Sequence, residues 1–518
     1  MVDKYNQQIR LSNYKACIFD VLTIFIAKML SPYLILSCIA LYFIMLLLIA
    51  YFTSRNANNT AYFTGNKASI WYLVAFGMIG DSLSGLTYLS VPGSVEKAQF
   101  NYLQIVLGYV VGYWAISYIL LPLYYRLNLT SIYAYLQNRI GKISQLTGSF
   151  FFILSRLIGA GGRLFLAAIV LQKFVFDSFN MPFPVTVLII ILLILVYTLK
   201  GGIKTLVWTD AFQSFFLLMG VICTIWFIGK SLNLSIGDMY HKIVDYQNNQ
   251  VFFWDWKPKN FFFKQFIGGA FIAICMTGLD QNMMQKNLSC RSLGEAQKNI
   301  NMFSIIVLIV NMFFLVLGAL LYIYIAEMNI PAPAIADELF PTLAFGHLGM
   351  AAGLIFVIGL TAATFNSADS VLTTLTTSFY IDFLHKNQDE AEQNKKLRLS
   401  IHAGFAVILY VVVMLFSLSR DQSLVFTVLD IAGITYGPLL GLFTFGILTN
   451  RKAIDKIVPF ICIFSALLCT GLYWASKQKA AWLEGYVVGA ELLIINGFIT
   501  FLILLLTSKK SDYGIRRV

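Results

Sequence analysis

The sequence predicts an all-α polytopic membrane protein of about thirteen transmembrane helices. Ten of them form two inverted repeats of five, a 5+5 arrangement with one discontinuous helix in each repeat. Three observations predict this. The composition is 58% hydrophobic and only 12% charged, with a mean hydropathy of +0.75, whereas a soluble domain carries roughly 25% charged residues. Apolar runs of about 20 residues, the length that crosses a bilayer, follow one another along most of the 518 residues. Two of these runs are interrupted by glycine and polar residues, and the interruptions lie five runs apart.

The runs fall near 33–53, 69–91, 101–125, 146–175, 183–199, 205–229, 263–285, 300–326, 348–384, 399–418, 423–448, 455–476 and 484–507. Lys and Arg in short loops orient them, because basic loops stay in the cytoplasm. Arg55, Lys67, Arg126, Arg139, Lys142, Lys200, Lys204, Lys286, Arg291, Lys298, Lys386, Lys395, Arg398, Arg451 and Lys456 fall in one set of alternate loops. The short loops of the other set offer only Lys97, Lys173, Arg420, Lys477 and Lys479. The first set, and with it the C-terminal tail 509–518, is expected in the cytoplasm, and the chain in the plasma or inner membrane. Residues 29–508 are expected to form the membrane domain. The stretch 16–30 is apolar but short and contains Asp20 and Lys28, which suits a vestigial signal-like segment or an interfacial helix; the favoured reading takes residues 1–28 as an extension, with Met29 as the native start.

Other compositional signals exclude more than they assign. The net charge of +12 is scattered over loops with no basic stripe, so no nucleic-acid partner is expected. The seven cysteines lack CxxC or Cys/His spacing, which argues against a zinc site or a disulfide framework. Histidines 241, 347, 385 and 402 have no ligand spacing. There is neither an HExxH nor a GxSxG phrase in the spans, so the chain is not read as an enzyme. Loop 327–347 holds prolines and acids without Lys or Arg, suiting either an external lid or a plain connector.

The first interruption is Gly80-Asp81-Ser82-Leu83-Ser84-Gly85. Lipid cannot hydrogen-bond bare backbone, so such a break survives only where it lines a protein cavity. An aspartate at that depth costs about 2.5–3.5 kcal/mol on insertion scales and marks a functional site. The second interruption is Gly268-Gly269 followed by Met276-Thr277-Gly278-Leu279-Asp280-Gln281. Together they imply a transporter that unwinds helices near the bilayer centre to hold an ion or solute.

Span 348–384 carries Thr361, Ala363, Thr364, Asn366, Ser367, Asp369, Ser370, Thr373 and Thr374. At 100° per residue, positions 363, 366, 367 and 370 share an arc of roughly 100°, with Asp369 at its edge. Gathered oxygens suit a hard cation such as sodium, although Ser and Thr also join helices in membranes; Asp369 tips the reading to ion binding. Asp210 lies about one turn inside its span, as an ion ligand or as an interfacial carboxylate near Lys204. Arg163 follows Gly159-Ala160-Gly161-Gly162, with Arg156 on the same face. A guanidinium there either holds a substrate carboxylate or neutralises Asp210 or Asp369. Asp430 is a further mid-membrane acid, able to bind substrate or to pair with Arg163.

In this order the motifs resemble the sodium:solute symporter family. The phrases that carry the resemblance are YFTG at 62–65, DSLSGLTYLSVPG at 81–93, GGIKTLVWTDAFQ at 201–213, DQNMMQKNLSCRSLGEAQ at 280–297, NSADSVLTTLTTSFYIDF at 366–383 and TYGPLLGLF at 435–443. The resemblance implies the LeuT-type fold, one helix preceding a ten-helix core and two following it. It implies a sodium ion held by carbonyls of Gly80, Leu83 and Ala363 and by the side chains of Asn366 and Ser367. Position 366 usually bears a hydroxyl in the family, and Asn departs from that. A second sodium, bound by some members, would take Asp210, Asn366, Asp369 and Ser370; Asp369 again replaces a common hydroxyl. The matching substrate positions are Ser84, Thr87, Gln104, Arg163, Met276, Thr277 and Asp430. Arg163 is similar to the arginine that holds the carboxylate in sialic-acid-carrying members. The expected partners are therefore sodium, a small carboxylated solute such as a sugar acid, and the lipid bilayer, with the chain acting as a monomer. The alternatives are a proton-coupled carrier, or a sensor or channel on the same fold.

Overall fold

The computed structural model describes residues 31–55, 59–385, 394–418 and 424–509, without the side chains at 59–61, 86, 200 and 424–430. Residues 1–28, the tail beyond 509 and the side chain of Asp430 lie outside that description.

Among the described residues the chain is helical, and β-pairing is limited to the isolated bridges Ser69–Cys290 and Lys452–Lys509. Helix α1 is Pro32–Ser54; α2 is broken into α2a, Trp71–Ser82, and α2b, Gly85–Ala98; α3 is Tyr102–Arg126 and α4 Lys142–Phe174. Then come α5, Phe183–Leu199, and α6, Gly202–Ser231. Helix α7 is broken into α7a, Phe262–Gly278, and α7b, Gln281–Asn287. Helices α8 to α10 are Leu293–Glu327, Met350–Phe383 and Lys395–Leu418, and α11 to α13 are Leu424–Leu448, Val458–Lys477 and Leu492–Thr507. Among the described residues nine helices are long and apolar enough to cross a bilayer, and the two bent pairs raise this to eleven. The expected count of about thirteen exceeds that by α5 and α13. The 16 residues of α13 rise roughly 24 Å against a core of about 30 Å.

Helix–helix contacts carry the inverted repeat. If α2–α6 form one half and α7–α11 the other, exchanging halves maps each helix onto the one five places away. Helix α6 lies against α9 and α11 against α4, the same pairing with halves exchanged; so are α3 against α7a and α8 against α2. Small residues let these backbones meet. A Cβ on Gly269 would stand 2.2 Å from the Ile105 carbonyl oxygen, and one on Gly108 2.0 Å from that of Phe266. Only hydrogens fit between α3 and α7a, the small-residue packing that substitutes for hydrophobic drive in lipid.

Both breaks are sharp. The halves of α2 meet at 57°, with Leu83 at ψ 82° and Ser84 extended at ψ 176°. The halves of α7 meet at 69°, after a wide π turn over Ile274–Gly278. Asp280 then caps α7b, its carboxylate accepting from the Met283 amide at 3.1 Å. A helix end leaves its last carbonyls without intrahelical partners, so each break presents polar backbone to its surroundings.

One expectation changes and one is extended. The arc of oxygens on α9 lies on a helix whose every residue from Gly359 to Ser378 is buried. Helix α9 is enclosed on all sides, and Thr364, Thr373, Thr376 and Thr377 settle their hydroxyls on carbonyls four residues back. Lys286, read as a cytoplasmic loop residue, is 1% exposed inside α7b. A loop-marking rule applied to a lone lysine ignores that a neighbouring carboxylate pair can hold it within the protein.

Candidate functional site for ion and solute

The α2 break and α9 meet at Gly80 and Asn366. A Cβ on residue 80 would lie 2.5 Å from Asn366 Nδ2, so glycine is what lets the unwound backbone reach α9. The Gly80 amide donates to Ser214 Oγ of α6 at 3.0 Å, and the Leu83 amide closes the last turn on the Ile79 carbonyl at 2.7 Å. Opposite, Ser367 Oγ donates to the Ala363 carbonyl at 3.1 Å. Asn366 Nδ2 points to the Asp210 carbonyl at 3.5 Å, while Asn366 Oδ1 is buried without a hydrogen-bond partner. A buried acceptor left unmade costs free energy, and an oxygen-seeking cation supplies what it lacks. Of the residues from which sodium ligands were expected, Gly80 and Asn366 thus meet across the two helices, with the orphaned Asn366 oxygen between them.

Two members of the second expected ion set, Asp210 and Ser370, meet on an unexpected guest. Lys286 Nζ donates to Asp81 Oδ2, to Asp210 Oδ2 at 2.5 Å and to Ser370 Oγ at 2.9 Å. Asn282, one turn earlier on α7b, donates to Asp81 Oδ1 at 3.3 Å and accepts from Thr374 at 2.9 Å. Asp369 faces a different set of donors: the Tyr197 hydroxyl at 2.7 Å, Gln213 at 3.5 Å and the Ser370 amide at 2.5 Å. Asp210 Oδ1 remains unpartnered. The DQNMMQKN run at 280–287 is polar at every position but Met283 and Met284, denser in amides than a short cytoplasmic loop needs, and that density was the available signal.

Beside this cluster lies a cavity lined by Asp81, Ser84, Thr87, Arg163, Met276 and Thr277, with the phenols of Tyr102, Tyr109 and Tyr113. Five of the seven expected substrate positions therefore share one space. Gln104 does not join them. It is buried toward the 250s loop, donating to the Asn260 carbonyl at 2.9 Å and accepting from the Phe253 amide at 3.2 Å. An amide that satisfies both its ends on a loop anchors that loop.

The two α4 arginines divide. Arg156 also lines this cavity, but its guanidinium is engaged: Nε meets Asp280 Oδ2 at 2.5 Å, Nη2 meets the Met276 carbonyl at 3.3 Å, and Tyr436 donates to the same Asp280 oxygen at 2.6 Å. Arg163 makes no ion pair among the described residues. Its Nη1 reaches only the Asp81 carbonyl at 3.3 Å, and its Nε is buried without a partner. Neutralisation of Asp210 or Asp369 by Arg163 is thereby excluded; Lys286 and hydrogen-bond donors take those roles.

Two bent helices flanking a helix buried over its polar half from Gly359 to Ser378, in a core whose contacts repeat when its halves are exchanged, define a LeuT-type secondary transporter. A model of the "Sodium:solute symporter family" matches residues 62–454. The chain belongs to that family: it is a transporter coupling a solute to sodium, not an enzyme. Among its relatives, the sodium/sialic acid symporter NanT of Aliivibrio fischeri is 24% identical over 465 residues, spanning 87% of this chain and 89% of that protein. The sodium-coupled monocarboxylate transporter 2 of Danio rerio is 26% identical over 393 residues, but the match covers only 62% of that longer protein. A solved Na+-coupled sialic acid symporter in a substrate-bound, outward-open state superposes with a TM-score of 0.78 at 19% identity, covering 92% of this chain and 99% of that one.

Proposed function

We propose that the protein carries a small carboxylate-bearing solute, with a sugar acid such as sialic acid as the first candidate, together with sodium. The observation that supports this most is Arg163, a guanidinium lining the cavity with an unpartnered buried Nε. Burying such a charge with no ion pair among the described residues is costly, and a bidentate carboxylate is the partner its fork best fits. Ser84, Thr87 and Thr277 add hydroxyls for the rest of a polar solute, and Met276 an apolar contact. The relatives named for sialic acid and for monocarboxylates share that carboxylate.

In this reading one sodium binds between the α2 break and α9, using the carbonyls of Gly80, Leu83 and Ala363 with Asn366 and Ser367. Its occupancy favours the outward-open arrangement and so the capture of solute. A coupling factor of 10–100 corresponds to about 1.4–2.8 kcal/mol. Asp369 accepts from Tyr197, Gln213 and the Ser370 amide, and proton coupling through it would show as uptake driven by a pH gradient in sodium-free buffer. Cavity and ion cluster are built by helices of one chain, which supports a monomer as the working unit, with residues 29–508 as its domain. The basic loops support a cytoplasmic C-terminus. Uptake by proteoliposomes of labelled sialic acid, lactate and glucose, with and without a sodium gradient, tests the reading. Sodium-driven uptake of either acid supports it, and sodium-driven uptake of glucose alone removes it.

A further inference from the structure

We infer that the Lys286 ammonium is a built-in cation that fills the second cation position, so that one mobile sodium rather than two binds this chain. This rests on the sodium reading above and narrows it. Family resemblance assigns a second sodium to Asp210, Asn366, Asp369 and Ser370, and two of these four are the ligands of Lys286 Nζ. An ammonium has three N–H groups and no acceptor; here they meet three oxygens, of Asp81 Oδ2, Asp210 Oδ2 and Ser370 Oγ. No donor is left over. The three oxygens come from α2a, α6 and α9, and the lysine itself from α7b, so the contact joins four helices including both broken ones. All of it is out of water: Lys286 is 1% exposed, Asp81 4%, and Asp210 and Ser370 are fully buried.

Sodium and an alkylammonium ask the same thing of a site, one positive charge among oxygens. Two such charges at this spot would repel strongly in a low-dielectric interior. The tethered one, held by its own chain, has no translational freedom to lose. Asp369, the remaining member of the expected set, is turned to Tyr197, Gln213 and the Ser370 amide instead. Among the described residues Asn366 Oδ1, Asp210 Oδ1 and Gln213 Oε1 remain buried without partners, and of these Asn366 is the one that stands beside Gly80.

Radioactive sodium binding to the purified full chain, followed by scintillation proximity, counts the ions directly. The expected result is one sodium per protein with a Hill coefficient of 1. Lys286→Arg, which keeps the charge, should stay at one. Lys286→Ala, which leaves the carboxylates and opens space, should bind two, in a preparation shown monodisperse by gel filtration. Two sodium ions on the unsubstituted protein would overturn the inference and leave sodium coupling standing. A monodisperse Lys286→Ala protein that still binds one ion at an unchanged midpoint would overturn it as well. No saturable sodium at all would overturn the coupling reading beneath it. The unsubstituted chain gives the decisive count even if the alanine variant fails to fold.

Discussion

Arg156 and Arg163 sit two turns apart on α4, and their contacts predict opposite phenotypes. Arg163→Gln keeps the size and removes the charge that no ion pair among the described residues uses. Charge-assisted hydrogen bonds contribute about 1.5–3 kcal/mol, so uptake of a carboxylated solute should fall about 10- to 150-fold. The stability of the purified protein should change little. Lysine at 163, a point charge without the fork, should recover part of the uptake; full activity in Arg163→Gln would place the carboxylate elsewhere. Arg156→Leu strips Asp280 of its buried partner, and breaking such a pair costs about 3–5 kcal/mol. A fall in melting temperature, accompanied by loss of uptake for every solute tested, is the expected outcome. Both arginines were visible in the sequence as candidates for one role. What separated them was Asp280, whose position on the far half of the chain is set by the second break, and no spacing rule reports that distance.

At the scale of helices, the breaks in α2 and α7 were legible because glycine and polar residues cannot be left bare in lipid. The fate of α7b was not. Its lysine obeyed the composition of a loop, while its neighbours Gln281, Asn282, Gln285 and Asn287 are all buried. Gln281 illustrates the reason: it accepts from the Ile132 amide at 2.9 Å and donates to the Thr130 carbonyl at 2.8 Å, fastening α7b to the loop after α3. Asp382 at the end of α9 was likewise unmarked in the sequence, yet it gathers Ser131, Gln145 and Ser149 within 3.0 Å. That hub joins three segments, the end of α9, the loop after α3 and the start of α4. The α3–α7a seam yields a sharper expectation. Gly269→Val drives a branched side chain into the Ile105 carbonyl, and overpacking of this kind costs about 1–3 kcal/mol or more. Thermal unfolding in detergent should show the loss, whereas Gly294→Ala, with nothing within 4 Å of its would-be Cβ, should leave the melting temperature unchanged.

For the whole molecule, alternation of basic and neutral loops predicts the way the chain sits in its membrane. A cysteine placed at Lys456 should be labelled by a membrane-impermeant maleimide only after cells are opened, and one at Lys477 in intact cells; the reverse pattern would invert the orientation. The resemblance also anticipated the order of the core, because each repeat opens on its own broken helix. It did not anticipate that a side chain could stand where an ion was expected. The central claim is that sodium, bound where the α2 break meets α9, drives solute into the central cavity. Ser367 tests it most directly, since its hydroxyl lies against the Ala363 carbonyl at that junction and lines no part of the cavity. Initial uptake of sialic acid into proteoliposomes, titrated with sodium, should show a half-saturating sodium concentration raised about tenfold or more in Ser367→Ala, with the maximal rate approached at high sodium. An identical sodium titration in the two proteins would contradict the account.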